Sequence, residues 1–127
     1  MSEKSVAQKL LIKENYQVLV INSPKNYKTI MGGFPPNVTF LTKSNKPVDF
    51  VQLFVTSKEE LQKDLEMAKT MLKPKGLLWV TYPKGTSQIK TDINRDTIRE
   101  YARSIGLQGV AMISVDDTWS ALRLKIV

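Results

Sequence analysis

Residues 49–82 read DFVQLFVTSKEELQKDLEMAKTMLKPKGLLWVTY, and this stretch predicts a strand, a helix and a second strand. The runs at 49–56 and 77–82 are strongly apolar, a pattern typical of parallel strands that are buried on both faces. Between the two runs, apolar residues recur at helical spacing and form one stripe, comprising Leu61, Leu65, Ala68 and Leu72. A strand–helix–strand unit of this kind indicates an α/β protein.

Local signals predict where the central helix begins and ends. Ser57 and Glu60 have the spacing of a capping box, in which each side chain accepts a hydrogen bond from the backbone N–H of the other residue. Pro74 and Gly76 predict the end of the helix, because proline cannot continue a helix and glycine is common just after one.

The same alternation continues on both sides of this unit. Further strands are predicted at 17–22, 38–41, 109–115 and 119–126, and further helices at 5–13, at 25–32 and around Ile98, Ala102 and Ile105. The last strand alternates apolar and polar residues, which suits an antiparallel strand near an edge. Together these elements predict one domain over residues 1–127, a three-layer α/β sandwich. Its mainly parallel sheet has about six strands and ends in an antiparallel hairpin.

Composition excludes several kinds of chemistry. The 127 residues include no Cys and no His, so the chain has no thiolate nucleophile, no imidazole base and no Cys- or His-ligated zinc. A metal would need carboxylates and carbonyls, and no metal site is predicted. No apolar run is long enough for a membrane span and no signal peptide is recognisable, so a cytoplasmic protein is expected.

The segment Leu72-Lys73-Pro74-Lys75-Gly76-Leu77-Leu78-Trp79-Val80 resembles the turn and strand that follow the fourth crossover helix of class I methyltransferases. Those proteins often carry L-x-P-G-G and then four or five apolar residues there. Their final strand is also inserted antiparallel in a closing hairpin. This resemblance covers about residue 49 to the end, and it implies a Rossmann-like, methyltransferase-like fold.

A second resemblance covers nearly the whole chain. The sequence is similar to a family of small, uncharacterised bacterial proteins known as a domain of unknown function. The similarity lies chiefly in Asn22-Ser23-Pro24, in Leu77-Leu78-Trp79-Val80-Thr81-Tyr82-Pro83-Lys84 and in Asp116-Asp117-Thr118-Trp119-Ser120-Ala121-Leu122-Arg123. That family has no assigned activity, so the resemblance implies no reaction.

The turn after the first strand departs from the methyltransferase pattern. A glycine-rich loop there lets the backbone approach the cofactor, but this chain has no Gly before Gly32, and Pro24 lacks a backbone N–H. No acidic residue for the ribose hydroxyls follows before Asp49. We therefore expect a truncated methyltransferase-like domain that holds no cofactor and is not an enzyme, although a methyltransferase with an atypical S-adenosylmethionine site stays open as an alternative.

The main hypothesis is a binding or regulatory domain that recognises a small anionic ligand or a protein partner. Lys84, Thr86 and Ser87 follow a central strand at its carboxyl end, where open α/β sheets bind ligands. Asn22 and Arg99 are expected nearby. The alternative for this segment is a solvated Pro-Gly turn.

Charged clusters also have structural interpretations. Arg95, Arg99 and Arg103 lie four residues apart on one helix face, and Asp96 and Glu100 can pair with Arg99 and Arg103, so an exposed, salt-bridged face is expected. Asp116-Asp117 predicts a hairpin turn rather than a carboxylate metal site.

A second candidate surface is aromatic and basic. Tyr27, Trp119 and Arg123 are candidates for docking a partner, and Tyr16, Tyr27 and Phe34 near Lys25 and Lys28 form a patch of the kind that can stack bases. The net charge is +7, of which residues 1–58 hold +5, from eight lysines and three acidic residues. Weak nucleic-acid binding is therefore a further alternative.

Overall fold

The computed structural model describes residues 5–85 and 91–126. The helices are α1 (Val6–Lys9), α2 (Tyr27–Met31), α3 (Lys58–Thr70) and α4 (Arg95–Ser104). The strands are β1 (Gln17–Ile21), β2 (Thr39–Leu41), β3 (Val48–Phe54), β4 (Leu72–Pro83), β5 (Leu107–Ser114) and β6 (Trp119–Ile126). The strands form one mixed sheet in the order β2-β1-β3-β4-β6-β5.

The first four strands of this order are parallel, and the last two form the antiparallel end. β1 pairs in parallel with β2 and β3, and β3 pairs in parallel with β4. β6 runs antiparallel to both β4 and β5. The expected α/β fold, with a mainly parallel sheet of six strands and a closing hairpin, is confirmed.

Two apolar clusters lie on opposite faces of the sheet. The face under α3 and α4 contains Leu61, Leu65, Ile98 and Ala102, all fully buried. The face under α1 and α2 contains Ala7, Tyr27 and Trp79. Burial on both faces explains why β3 and the second half of β4 are mostly apolar rather than alternating. Trp79 is 1% exposed, as the sequence predicts for a core residue.

Two predicted boundaries are wrong. The first helix is expected over 5–13 but spans only Val6–Lys9, because the chain turns through a left-handed conformation at Leu11 (φ 69°). The central helix ends at Thr70, before Pro74 and Gly76, which lie inside β4. The last strand belongs to an antiparallel pair near an edge, as its alternation predicts: β6 lies between β4 and β5, and β5 is the outer strand.

A bulge explains how proline and glycine fit into β4. Val48 of β3 pairs with Leu72 and Phe50 pairs with Leu77, so the intervening residues of β4 leave the ladder. A Cβ on Gly76 would lie 2.7 Å from Leu72 Cδ1 and 3.0 Å from the Asp49 carbonyl oxygen. Glycine is therefore needed where the bulge passes close to β3.

Only one of the two hydrogen bonds of the predicted capping box forms at the start of α3. Ser57 Oγ accepts a hydrogen bond from the Glu60 N–H at 3.2 Å, as predicted. Glu60 Oε1 instead accepts from the N–H and the hydroxyl of Thr56, at 2.9 and 2.7 Å, and not from Ser57. No helix among residues 5–85 and 91–126 is both long and apolar enough to cross a membrane.

Candidate functional site

The carboxyl edge of the sheet has a topological switch point between β1 and β3. From β1 the chain goes outward to β2 and then returns to the other side of β1 to form β3. Open α/β sheets bind ligands in the crevice at such a point. The side chains at the ends of these two strands therefore decide whether the usual ligand position of this fold is available.

Asn22 joins the two strand ends at the switch point. It has a left-handed backbone conformation (φ 61°), which asparagine tolerates better than most residues. Its Nδ2 donates to the Phe54 carbonyl oxygen at 3.3 Å and to Asp64 Oδ2 at 2.8 Å. The predicted site residue Asn22 thus connects β1, β3 and α3.

Tyr27 fills the face of the sheet below α2. Its side chain is 9% exposed, and its ring packs against Phe34, Phe40 and Phe54 with centroids about 6 Å apart. Its hydroxyl donates to Gln52 Oε1 at 2.8 Å, and burial raises the pKa of this tyrosine above its ordinary value. The prediction that Tyr27 belongs to an exposed aromatic surface is wrong, because the ring completes the apolar core.

The other members of the predicted partner surface do not form one either. Trp119 is 7% exposed and packs edge-on against Phe54, so it is also a core residue and not a docking side chain. Arg123 is half-buried and pairs with Trp79 across β6 and β4. The hairpin before Trp119 is a backbone turn, since Asp116 Oδ1 accepts from the N–H groups of Thr118 and Trp119 at 2.8 Å.

The switch point does not fit S-adenosylmethionine. The position where a glycine would allow close approach carries Asn22, whose amide is already hydrogen-bonded to the protein. Asp49, the first acidic residue after Glu14, lies at the opposite end of the sheet, where its carboxylate accepts from the Gln17 N–H and from Lys73. No acidic side chain follows β2 to hold ribose hydroxyls, since Leu41 is followed by Thr42 and Lys43.

A different part of the same edge is open and basic. At the end of β4, a cavity of about 370 Å³ lies between β4, β6, the outer strand β5 and the start of α4. We call it the β4 cavity; its lining residues include Tyr82, Lys84, Asn94, Arg95, Asp96 and Ser120. Lys84, predicted as a site residue, lies here, and its Nζ donates to Ser114 Oγ of β5 at 2.6 Å.

The N-terminus of α4 lies at the rim of the β4 cavity. Asn94 caps the helix, and its Oδ1 accepts from the Thr97 N–H at 2.9 Å. The first N–H groups of a helix and its macrodipole favour an anion at this end. Asp96 is on the first turn too, but its side chain is 81% exposed, and its carboxylate lies 3.6 Å from Arg95 Nε.

Tyr82 supplies a neutral hydroxyl at the base of the β4 cavity. Its hydroxyl donates to Met112 Sδ at 3.3 Å. Burial raises the pKa of Tyr82, and the positive charges of Arg95 and Arg99 oppose that rise without cancelling it. The phenol is therefore protonated at neutral pH, and since its one O–H is donated to Met112, it contributes a neutral polar oxygen and not a base.

The structure does not bring the predicted site residues together in one site. Arg99 lies one turn further along α4, where its side chain passes over Gly109 of β5 and lines a second cavity of about 370 Å³ with Arg103. Asn22 is at the switch point, and Thr86 and Ser87 lie outside the described residues. Sequence reasoning missed the roles of Tyr82, Arg95 and Ser120 in the lining. The repeat of arginines every four residues was the available signal for Arg95.

The expected salt-bridged face of α4 is absent. Within residues 5–85 and 91–126 the side-chain ion pairs are Lys73–Asp49 and Arg95–Asp96, so the predicted pairs of Arg99 and Arg103 do not form. Nor do three or more acidic side chains gather into a metal-binding group in this part of the chain.

Comparison with solved structures defines the fold class of the protein. The chain is similar to DhpI, solved as a complex with SAH, with a TM-score of 0.66 and 13% identity over 95% of this chain and 82% of that one. It is also similar to a SAM-dependent methyltransferase from Aquifex aeolicus (TM-score 0.63, 17% identity, 96% and 88% covered). The tRNA methyltransferase TrmK of B. subtilis gives a TM-score of 0.57 at 13% identity, with 98% and 67% covered. The fold is therefore that of the Rossmann-like methyltransferases.

Within that class, the chain belongs to the family described as protein of unknown function (DUF3052), whose model matches residues 40–126. No curated protein matches the chain in sequence. The match begins in β2 and includes both the β4 cavity and the arginines of α4. The predicted combination of a domain of unknown function with a methyltransferase-like fold is confirmed.

Proposed function

We propose that this protein is a binding domain that recognises a small anionic ligand in the β4 cavity and catalyses no reaction. The observation that carries the proposal is the convergence of Lys84 and Arg95 on a cavity of about 370 Å³ at the carboxyl edge of the sheet. This cavity is a shallow depression that is widely open to solvent, so a small molecule could reach it from outside. In the described lining, two cations against the exposed carboxylate of Asp96 favour a ligand with negative charge.

Neutral donors add to the positive charge. Tyr82 and Ser120 bring hydroxyl groups to the cavity lining, and α4 directs its N-terminus to the same place. Phosphate is the ligand chemistry that best matches charged donors, hydroxyls and a helix N-terminus acting together. The described lining has no imidazole and no thiol, since the chain has no His and no Cys. These properties support binding rather than proton transfer.

Calorimetric titration with inorganic phosphate, pyrophosphate and citrate tests the proposal. Lys84→Ala is expected to weaken phosphate or pyrophosphate binding about 10- to 100-fold, because a charge-assisted hydrogen bond is worth about 1.5–3 kcal/mol. Lys75→Ala is the matched control, since Lys75 is an exposed lysine on the bulge at the other end of β4. Absence of heat with all three anions, or equal losses in the two variants, would disprove the proposal.

A second candidate function is methyl transfer from S-adenosylmethionine at an atypical site. The similarity in fold to solved methyltransferases favours this candidate. The hydrogen-bonded Asn22 and the absence of an acidic residue after β2 oppose it. Thermal denaturation with millimolar S-adenosylmethionine discriminates between the two functions. We expect no change in Tm with this cofactor and a rise with pyrophosphate, and the reverse result would favour the methyltransferase.

A further inference from the structure

The basic surface continues beyond the β4 cavity along α4. Arg95, Arg99 and Arg103 follow each other at intervals of four residues and so lie in one row on the helix. With a rise of about 1.5 Å per residue, the row extends the line of positive charge by about 12 Å. Arg95 lines the β4 cavity, and Arg99 and Arg103 line the second cavity, whose opposite wall is the start of β5.

The two cavities lie one after the other along the side of α4 that faces β5, and we call this line of surface the α4/β5 groove. β5 runs from Leu107 and Gly109 beside the second cavity to Met112 at the β4 cavity and Ser114 beside Lys84. α4 runs the opposite way, with Arg95 near Met112 and Arg103 near Leu107. Four cations, Lys84 and the three arginines, therefore follow the groove from end to end.

Gly109 gives the middle arginine of the row room to approach β5. A Cβ built on Gly109 would lie 3.1 Å from Arg99 Nε and 3.3 Å from Arg99 Cγ. A side chain at this position would push Arg99 aside by a few tenths of an ångström, so glycine lets Arg99 lie close over β5. Arg99 is itself exposed, so its charge is accessible beside the strand.

Acidic side chains of α4 do not neutralise the row. Glu100 lines a separate cavity on the α3 side, with Gln62 and Tyr101. Asp96 contacts Arg95 but is 81% exposed, and an ion pair of that kind adds little. Among the described residues, Arg99 and Arg103 have no ion-pair partner.

We propose that the α4/β5 groove binds a linear chain of phosphates, with Lys84, Arg95, Arg99 and Arg103 each taking part. This inference rests on the proposed function, since the β4 cavity would hold the first phosphates of the chain. The one aromatic residue in the described lining, Tyr82, is 5% exposed, so there is no platform for stacking bases. The groove therefore reads phosphates and not bases. Inorganic polyphosphate and single-stranded nucleic acid share this chemistry.

Chain length and salt provide the test. Competition anisotropy is measured with phosphate, pyrophosphate, triphosphate, a long inorganic polyphosphate and a single-stranded oligonucleotide. Affinity is expected to rise with each added phosphate and to level off at about four. For the long chains, log K is expected to fall against log salt with a slope of about −3, since each contact on a single strand contributes about −0.7.

Variants separate this inference from the proposed function. Arg99→Ala and Arg103→Ala are expected to weaken binding of long chains at least fivefold and to reduce the slope by about 0.7–1 each. Both should leave the affinity for single phosphate unchanged. Lys125→Ala, which removes one exposed charge at the end of β6, is the control and should change neither quantity by as much.

Each contrary outcome has a distinct meaning. Phosphate binding that depends on Lys84 but does not strengthen with chain length would overturn the groove and leave the proposed function standing. Equal losses in Arg103→Ala and Lys125→Ala would also overturn it. Absence of binding to any phosphate would remove both proposals. An oligonucleotide that binds while polyphosphate does not would show that bases are read, against the inference. Comparable binding of polyphosphate and the oligonucleotide supports the inference. Binding of polyphosphate alone also supports it and identifies polyphosphate as the source of the phosphate chain.

Discussion

The carboxyl edge of the sheet is built in two ways, closed at the end of β1 and open at the end of β4. At the closed end, Asn22 donates hydrogen bonds to Phe54 and Asp64, and Tyr27 donates one to Gln52. At the open end, Lys84 and Arg95 border a cavity of about 370 Å³. At the end of β1, the polar side chains are hydrogen-bonded to the protein itself. At the end of β4, basic side chains border a cavity.

This difference concerns the position at which proteins of this fold usually bind their ligands. The switch point is where proteins of this architecture bind their ligands, yet here it is occupied by hydrogen bonds and aromatic packing of the chain itself. Changes at the closed end should therefore cost stability, and changes at the open end should affect binding with little cost in stability. The predictions below test this contrast, ordered by the expected change in the free energy of unfolding.

Tyr27→Ala should give the largest loss. Removing a buried aromatic ring that contacts three phenylalanines should lower the free energy of unfolding by about 3–5 kcal/mol. Tyr27→Phe is the control: it keeps the ring but leaves Gln52 Oε1 without its donor, for a loss of about 1–3 kcal/mol. Urea denaturation followed by circular dichroism measures both. A loss below about 1 kcal/mol for Tyr27→Ala would show that the closed end is not part of the core.

Asn22→Ala should lower stability by less, about 1–2 kcal/mol. Alanine is disfavoured at a φ of 61°, and the variant also loses the hydrogen bonds to Phe54 and Asp64. Asn22→Gly loses the same hydrogen bonds without the backbone strain, so it should be the more stable of the two variants. The same urea titration compares them. The opposite ranking would mean that the left-handed conformation at Asn22 is not what the turn requires.

The sequence predicts the closed and open ends with different success because different interactions decide them. The apolar runs of β3 and β4 and the stripe of α3 depend on burial, which periodicity reports directly. The absence of glycine after β1 can be read directly from the sequence, and the expectation drawn from it, a domain without a cofactor, stays a prediction. The sequence does not predict that Asn22 and Tyr27 form hydrogen bonds within the protein. Their partners, Asp64 and Gln52, are distant in the chain, so only the folded structure shows these contacts.

The errors also have physical reasons. Pro74 and Gly76 predict a helix end, but a β-bulge accommodates the same residues, and local sequence does not distinguish the two. The arginines of α4 were expected to pair along the helix. They turn to the groove beside β5 instead, where Gly109 provides the space for Arg99. The charge surplus of residues 1–58 likewise gave no indication of this groove, which lies in the other half of the chain.

The ion pair between Asp49 and Lys73, at the amino edge of the sheet, shows how much a partly exposed charge contributes to stability. Partial burial would raise the pKa of Asp49, but the Gln17 N–H and Lys73 together lower it below its usual range. Asp49 therefore contributes stability above its unfolded pKa of about 3.9, and this contribution is lost as the pH falls through the folded pKa. Asp49→Asn retains an oxygen for Gln17 and should lose up to about 1 kcal/mol at pH 7 and less at pH 2–3. A pH-independent difference in urea midpoints would contradict this assignment.

Lys84→Ala and Arg95→Ala should have the smallest effect on folding. Lys84 donates to Ser114, whose exposed hydroxyl can bond water instead. Within the described residues, Arg95 pairs with the exposed carboxylate of Asp96 and with no other acidic side chain. Each variant should therefore lie within about 0.5 kcal/mol of the parent protein in the absence of ligand. With pyrophosphate at about 100 times its Kd, the parent should gain about 2.7 kcal/mol, and Lys84→Ala should gain clearly less. If either variant unfolds as readily as Tyr27→Ala, the basic residues are structural, and the distinction between a closed and an open end of the edge fails.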